Sequence, residues 1–197
     1  MKYLTLILIL LQAVFCFSEV ALVDNTYKIW RASGTEPGLW EMIPHDNAIN
    51  AVTYQNNGYI IALEKDLARV YAISPLNIKI YLGQPVAKGV DICGLGNKIL
   101  LLDEDGFVYR FLGNFQWEYV TRIYGAVGIA GSQDDVYAVC NNGEVCYYTP
   151  SSGLSNLASL PEGWGFDIGY DESQGALVAT GWYPARSTPV GYCYNFG

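Results

Sequence analysis

The sequence predicts an all-β fold, a small β-propeller of four to five blades with about four antiparallel strands in each. Three observations predict it. Gly, Asn, Asp and Pro recur at short intervals, and no segment holds apolar residues at helical spacing for more than about two turns. A hairpin pattern is written more than once, as "ILLLDEDGFVYRF" at 99–111 and "VYAVCNNGEVCYY" at 136–148. Its spacing is regular: "VYAI" at 70, "VYRF" at 108 and "VCYY" at 145 stand 38 and 37 residues apart, which is the period of a propeller blade.

Each hairpin carries the same flanks. Upstream stands a short strand of small and aliphatic residues, "AINAVTY" from Ala48, "GVDICGL" from Gly89 and "AVGIAGS" from Ala126; downstream stands another, "NIKIYLG" from Asn77, "FQWEYVTRI" from Phe115 and "LSNLASLP" from Leu154. The duplicated hairpin is therefore the middle of a four-stranded unit. In the hairpin at 136–148, Asn142-Gly143 suits a two-residue turn, which would pair Val139 with Cys146 and Cys140 with Val145. The ends look incomplete in complementary ways. Residues 20–44 offer a hairpin and an outer strand without an inner one, and residues 164–197 an inner strand and a hairpin without an outer one. Ring closure between the termini would produce that pattern and would protect edge strands. A β-sandwich or trefoil also has short strands, but does not account for the 37-residue register.

The first 18 residues, with Lys2 ahead of the apolar run Leu4 to Phe15, read as a cleaved secretory signal, leaving 19–197 as one propeller domain. A released, extracellular protein is the expectation. Its 19 acidic residues outnumber the 11 basic ones, for a net charge of −8, and loss of Lys2 makes the balance more acidic still. That argues against nucleic acid and anionic membrane surfaces as partners, and no later apolar run would insert in a membrane.

Removal of Cys16 with the leader leaves Cys93, Cys140, Cys146 and Cys193 as disulfide candidates, with three pairings open. The two-residue turn would place Cys140 and Cys146 on opposite faces of the sheet, which disfavours a local bridge between them. No Asn-x-Ser/Thr site for N-linked glycans occurs.

The stretch from Trp117 to Tyr148, "WEYVTRIYGAVGIAGSQDDVYAVCNNGEVCYY", resembles the tectonin-type β-propeller repeat, in which Trp begins the outer strand and "vwav…nGxvyr" forms the hairpin. Trp117, Gly125, Ile129, Val136, Tyr137, Val139, Asn142, Gly143, Val145 and Tyr147 carry the match. The unit before it keeps the hairpin and Trp117; the one from 47 to 88 follows Trp40 but replaces the Asn-Gly turn with "EKDLA". The resemblance implies a secreted, lectin-like, carbohydrate-binding propeller with a place in innate recognition.

Five Trp and 16 Tyr suit such a role, because sugar faces stack on aromatic rings while amides bond hydroxyls. Trp182, Trp40, Trp117 and Trp164 are the candidate ligand-binding aromatics, with Asn57, Asn142, Asn56 and Asn141 as polar companions. Packing between blades competes as a role for Trp117, whereas "GWYPARSTP" around Trp182 reads as an insertion of turn composition. Catalytic patterns are scarce. His45 is the only histidine, "DEDG" at 103–106 reads as a hairpin turn with solvated acids rather than a calcium loop, and no zinc, cofactor or nucleophile motif occurs. A non-catalytic protein is expected. The alternatives are a protein-binding scaffold and a propeller-type glycosidase, the latter marked by a recessed acidic pocket holding one carboxylate of raised pKa.

Overall fold

A computed structural model describes residues 20–32, 39–45, 47–54, 59–95, 98–132, 135–160, 164–171, 176–183 and 188–195. The expected leader, and with it Cys16, lies outside those residues, as do Asn56 and Asn57. Among the described residues eighteen strands form five antiparallel sheets, and every sheet is built from consecutive strands. Blade 1 is β1 (Val20–Val23), β2 (Ile29–Ala32) and β3 (Trp40–Ile43); blade 2 is β4 (Ala48–Tyr54), β5 (Tyr59–Glu64), β6 (Val70–Ile73) and β7 (Lys79–Gly83). Blade 3 is β8 (Gly89–Leu95), β9 (Lys98–Asp103), β10 (Phe107–Gly113) and β11 (Gln116–Arg122). Blade 4 is β12 (Ala126–Ser132), β13 (Asp135–Cys140), β14 (Glu144–Thr149) and β15 (Gly153–Ser159); blade 5 is β16 (Trp164–Asp171), β17 (Ala176–Tyr183) and β18 (Thr188–Asn195).

The first strands of successive blades pack against one another, β1 on β4, β4 on β8, β8 on β12 and β12 on β16. Residues from all five surround one cavity, the arrangement of a propeller about its axis. The expected blade of four strands holds for the middle three. The two end blades are not complementary. β1, read as part of a hairpin, packs against β4 in the inner position, so among the described residues both end sheets lack the same outer strand. No strand from the N-terminal sheet joins the C-terminal one among the described residues.

Packing explains the uninterrupted apolar runs in the second strands. Successive side chains of a strand point to opposite faces. On β9, Ile99 and Leu101 pack against Ile61, Leu63 and Val70 of blade 2, while Leu100 and Leu102 pack against Ile129, Val136 and Ala138 of blade 4. On β13, Val136 and Ala138 face blade 3, and Tyr137 and Val139 face Ile168, Leu177 and Ala179 of blade 5. A strand buried on both sides needs "ILLL" or "VYAV" rather than strict alternation. Each fully buried aliphatic side chain contributes about 1.5–3 kcal/mol relative to exposure.

The hairpin turns differ from the two-residue reading. Val139 pairs with Val145 and Ala138 with Cys146, and Gly143 N donates to Cys140 O at 2.9 Å. The loop is thus three residues, Asn141-Asn142-Gly143, with Gly143 at φ 85° in the left-handed position that closes such a turn. Gly106, at φ 82°, closes the equivalent turn of blade 3, where Gly106 N donates to Asp103 O at 3.1 Å. The extra residue shifts the expected register by one and puts Cys140 and Cys146 on the same face.

Asp103 is a turn residue, as expected, but it is buried rather than solvated. Its Oδ1 accepts from Asp105 N at 3.0 Å and Phe107 N at 2.8 Å, holding the loop in shape. Trp182 is likewise not in a loop. It lies in β17, paired with Trp164 on one side and Pro189 on the other. The turn-like composition deceives because β18 is an edge strand, where Pro189 is tolerated.

Candidate functional site

Two of the expected ligand residues, Trp164 and Asn142, come together in a surface cleft between blades 4 and 5. The cleft, ≈ 570 Å³, is lined by Val127, Asn141, Asn142, Trp164, Gly165 and Phe166. Strand geometry sets it up. Trp164 and Phe166 both line it from β16, Phe166 at the bulge between Gly165 and Asp167, and they are 60% and 52% exposed. Between them Gly165 is pressed onto blade 4, where a Cβ would overlap Val139 Cγ2 and the Cys140 carbonyl oxygen. That close approach brings the β16 aromatics beside the β13–β14 turn.

The turn supplies two amides. Asn141 N donates to Gly125 O at 2.8 Å, and Asn142 Oδ1 accepts from Glu144 N at 3.0 Å. The latter bond orients the Asn142 side chain without using its NH₂ donors. An exposed indole and phenyl beside two carboxamides offer what a sugar ring requires, an apolar face to stack on and donors and acceptors for its hydroxyls.

The other candidates do not join this cleft. Trp117 is packing: its Nε1 donates to Leu82 O of blade 2 at 3.1 Å, and its ring lies 5.1 Å from that of Phe111. Trp40 is 43% exposed and lines a separate depression of ≈ 230 Å³ with Arg31, Leu39 and Glu41. Arg31 there is tied by its guanidinium to Glu41 at 3.3 Å and Asn77 Oδ1 at 3.2 Å. The backbone of Trp182 is placed in β17, its side chain lies outside what is described, and Asn57 does also. His45 is buried with its ring edge-on to Tyr71 at 5.6 Å. Cys93, Cys140 and Cys146 are free thiols, and the Cys193 side chain is not described. Phe166 and Val127 are cleft residues that sequence reasoning missed; Phe166 sits at the bulge between Gly165 and Asp167, which a period-two pattern does not reveal.

A second feature was also missed. The axial cavity, ≈ 410 Å³, holds Asn50, Asp91 and Asp167 among small and aliphatic residues. They occupy one recurring position, the residue after a β-bulge in the first strand, filled by Asn50, Asp91, Gly128 and Asp167 in blades 2 to 5. The readable signal was an acid within an apolar strand, "VDI" and "FDI". Asp91, 4% exposed, ties three blades together: Oδ2 accepts from Ile129 N of blade 4 at 2.7 Å, while Oδ1 accepts from Ile92 N at 2.8 Å and from Asn50 Nδ2 of blade 2. Burial pushes its carboxyl up to about 7, with the three donors opposing and the charge of Asp167 adding to the rise. Asp167 is itself raised by desolvation at the open edge of the cavity, with Ile168 N opposing. A recessed carboxylate of raised pKa, the mark set for a glycosidase, is thus present, with its oxygens occupied by backbone and amide donors.

By sequence the chain matches no protein-family model and no curated protein. By structure it is similar to β-propellers. It aligns with the β-propeller domain of Myceliophteria thermophila Cps50 (Swd1) at a TM-score of 0.60 and 13% identity, over 90% of this chain and 67% of that one. A chain of a nidogen/laminin complex aligns at 0.63 and 12%, over 90% and 76%, and streptogramin B lyase at 0.59 and 15%, over 90% and 68%. Likenesses at such identities establish the propeller fold.

Proposed function

We propose that this β-propeller is a non-catalytic, carbohydrate-binding protein of tectonin-like type, secreted and with a place in innate recognition, and that it binds sugar in the cleft between blades 4 and 5. One observation carries the reading: Trp164 and Phe166 stand exposed side by side on β16, against the amides of Asn141 and Asn142. A lone exposed aromatic is common on protein surfaces, whereas two of them converging with amides across a blade junction form a stacking platform with polar walls. The Trp40 depression, with Arg31 and Glu41, would serve as a second and more polar site, and paired weak sites raise avidity. The hydrogen bonding of Asp91 supports the non-catalytic reading. A carboxylate that accepts from three fixed donors acts as a tie between blades, and a general acid must instead aim its proton at a leaving group.

A glycan array probed with the folded protein, beside Trp164→Ala, tests this. Specific binding by the parent that falls at least tenfold in a folded Trp164→Ala variant is the expected result. An array with no bound glycan overturns the reading.

A protein-binding scaffold is the second reading, favoured by exposed apolar side chains in the β6–β7 connection, on β7 and in the β10–β11 turn. Leu76 is 82%, Ile78 58% and Phe115 66% exposed, and the ring of Phe115 stacks on that of Tyr81 at 6.1 Å. A single protein captured from extracellular fluid, undisturbed by competing sugars and lost in Ile78→Asp, would support it.

A further inference from the structure

The β13–β14 hairpin holds two thiols in contact. Cys140 and Cys146 are 1% and 9% exposed, and their sulfurs lie 3.8 Å apart on the face that packs against blade 3. The three-residue turn is responsible. With Val139 opposite Val145, Cys146 falls opposite Ala138, and Cys140, two residues along, projects to the same side. Their chain separation is short, and the loop between them carries Asn141 and Asn142 of the surface cleft. Cys93, by contrast, lies on β8 with its Sγ next to Gly131.

We propose that Cys140 and Cys146 are an oxidisable pair that closes into a disulfide cross-linking β13 to β14 across the turn. The inference stands on the thiols alone and is independent of what the cleft binds. The co-reactant is a small-molecule disulfide of the glutathione class. The Cys146 thiolate, the more accessible of the two, attacks one sulfur of that disulfide; a mixed disulfide forms and one glutathione thiolate leaves. Cys140 then loses its proton and attacks the Cys146 sulfur, the second glutathione leaves as thiolate, and the two protons given up by the cysteines are taken by the two leaving groups. Two protein thiols are oxidised and one small disulfide is reduced to two thiols.

The electrostatics assign the same order. The two thiols share a hydrogen bond that raises Cys140 and lowers Cys146, burial adding to the first and opposing the second. Bringing two sulfurs from contact to bonding distance requires a small movement of the turn, the most exposed part of the hairpin. Once formed, the bridge fixes the positions from which Asn141 and Asn142 reach the cleft.

The test incubates the reduced, folded full chain with oxidised glutathione, blocks the remaining thiols with iodoacetamide, and digests with a glutamate-specific protease. Cleavage after Glu144 separates the two cysteines, so a bridge appears as two peptides joined until a reductant is added. The expected result is that joined pair, with Cys93 alkylated or bound to glutathione. In Cys140→Ser, Cys146 should stop at the mixed disulfide with glutathione. Alkylation of both Cys140 and Cys146 in the oxidised parent overturns the proposal. A bridge from either of them to Cys93 or Cys193, or a stable glutathione adduct on Cys146 of the parent, overturns it as well. Mapping on the parent decides the matter even if the variant does not fold.

Discussion

Raising the pH from 5 to 8 should destabilise this propeller through one buried side chain, Asp91. Folding moves its carboxyl from the ordinary 3.8 up to about 7, because burial outweighs the three donors that face it. The folded protein therefore keeps the Asp91 proton to a higher pH than the unfolded chain does. Unfolding releases that proton between the two values, so stability is full below about pH 4 and is lost as pH rises through 7. Three units at about 1.36 kcal/mol each give roughly 4 kcal/mol in all, more than half of which falls between pH 5 and pH 8. Asp167 and Asp103, both raised by burial, add to the same trend. Against a total of about 5–15 kcal/mol for a protein of this size the effect is large.

Urea unfolding followed by tryptophan fluorescence at a series of pH values measures it, with the slope of each transition held as a check on two-state behaviour. Asp91→Asn, which has no charge to titrate, should lower stability at pH 5 and remove most of the decline from pH 5 to 8. A parent protein whose stability is flat or rises over that range would refute the reasoning. So would an Asp91→Asn variant with the parent's slope, which would mean that the buried carboxylate does not set the pH response.

The remaining predictions concern packing. Gly165→Ala should cost about 2 kcal/mol or more, read as a fall in Tm of several degrees by calorimetry, because the new Cβ meets the Cys140 carbonyl oxygen of the neighbouring blade. Leu101→Ala, at a fully buried position between blades 2 and 3, should cost about 2–5 kcal/mol in urea unfolding. Trp117→Phe removes the bond to Leu82 O and should lower stability by about 1 kcal/mol while leaving glycan binding unchanged in titration calorimetry. Trp164→Ala should do the reverse, with Tm nearly unmoved and binding weakened, since its ring is mostly exposed.

The blades were legible because their signals are local. "VYAV", "ILLL" and the Gly-closed turns repeat at a fixed interval, and strands buried on both faces leave a run that composition alone identifies. What failed was register. Asn-Gly serves both the two-residue turn and the three-residue turn with Gly143 in the left-handed region, and that one residue decides whether Cys140 and Cys146 diverge or touch. The same difficulty hid Asp91: the bulge before it, between Gly89 and Asp91, changes which way the side chain aims and is invisible in a period-two pattern. For the candidate site the residue class was readable and the individual residue was not. Trp117 and Trp164 look alike in sequence, yet one reaches across to the Leu82 carbonyl and the other stands at the start of an inner strand, beside a turn from another blade. β1 was misassigned because "VALV" has the composition of either a hairpin or an inner strand, and only its contact with β4 distinguishes them.

The most direct measurement is a titration of the isotopically labelled protein with the glycan that the array selects, followed by nuclear magnetic resonance. The account predicts shifts confined at first to the Trp164 indole N–H and the side-chain amides of Asn141 and Asn142, with the Trp117 indole signal unmoved. Shifts centred instead on the backbone amides of Ile92, Ile129 and Ile168 around the axial cavity would contradict it, as would a spectrum that no glycan perturbs.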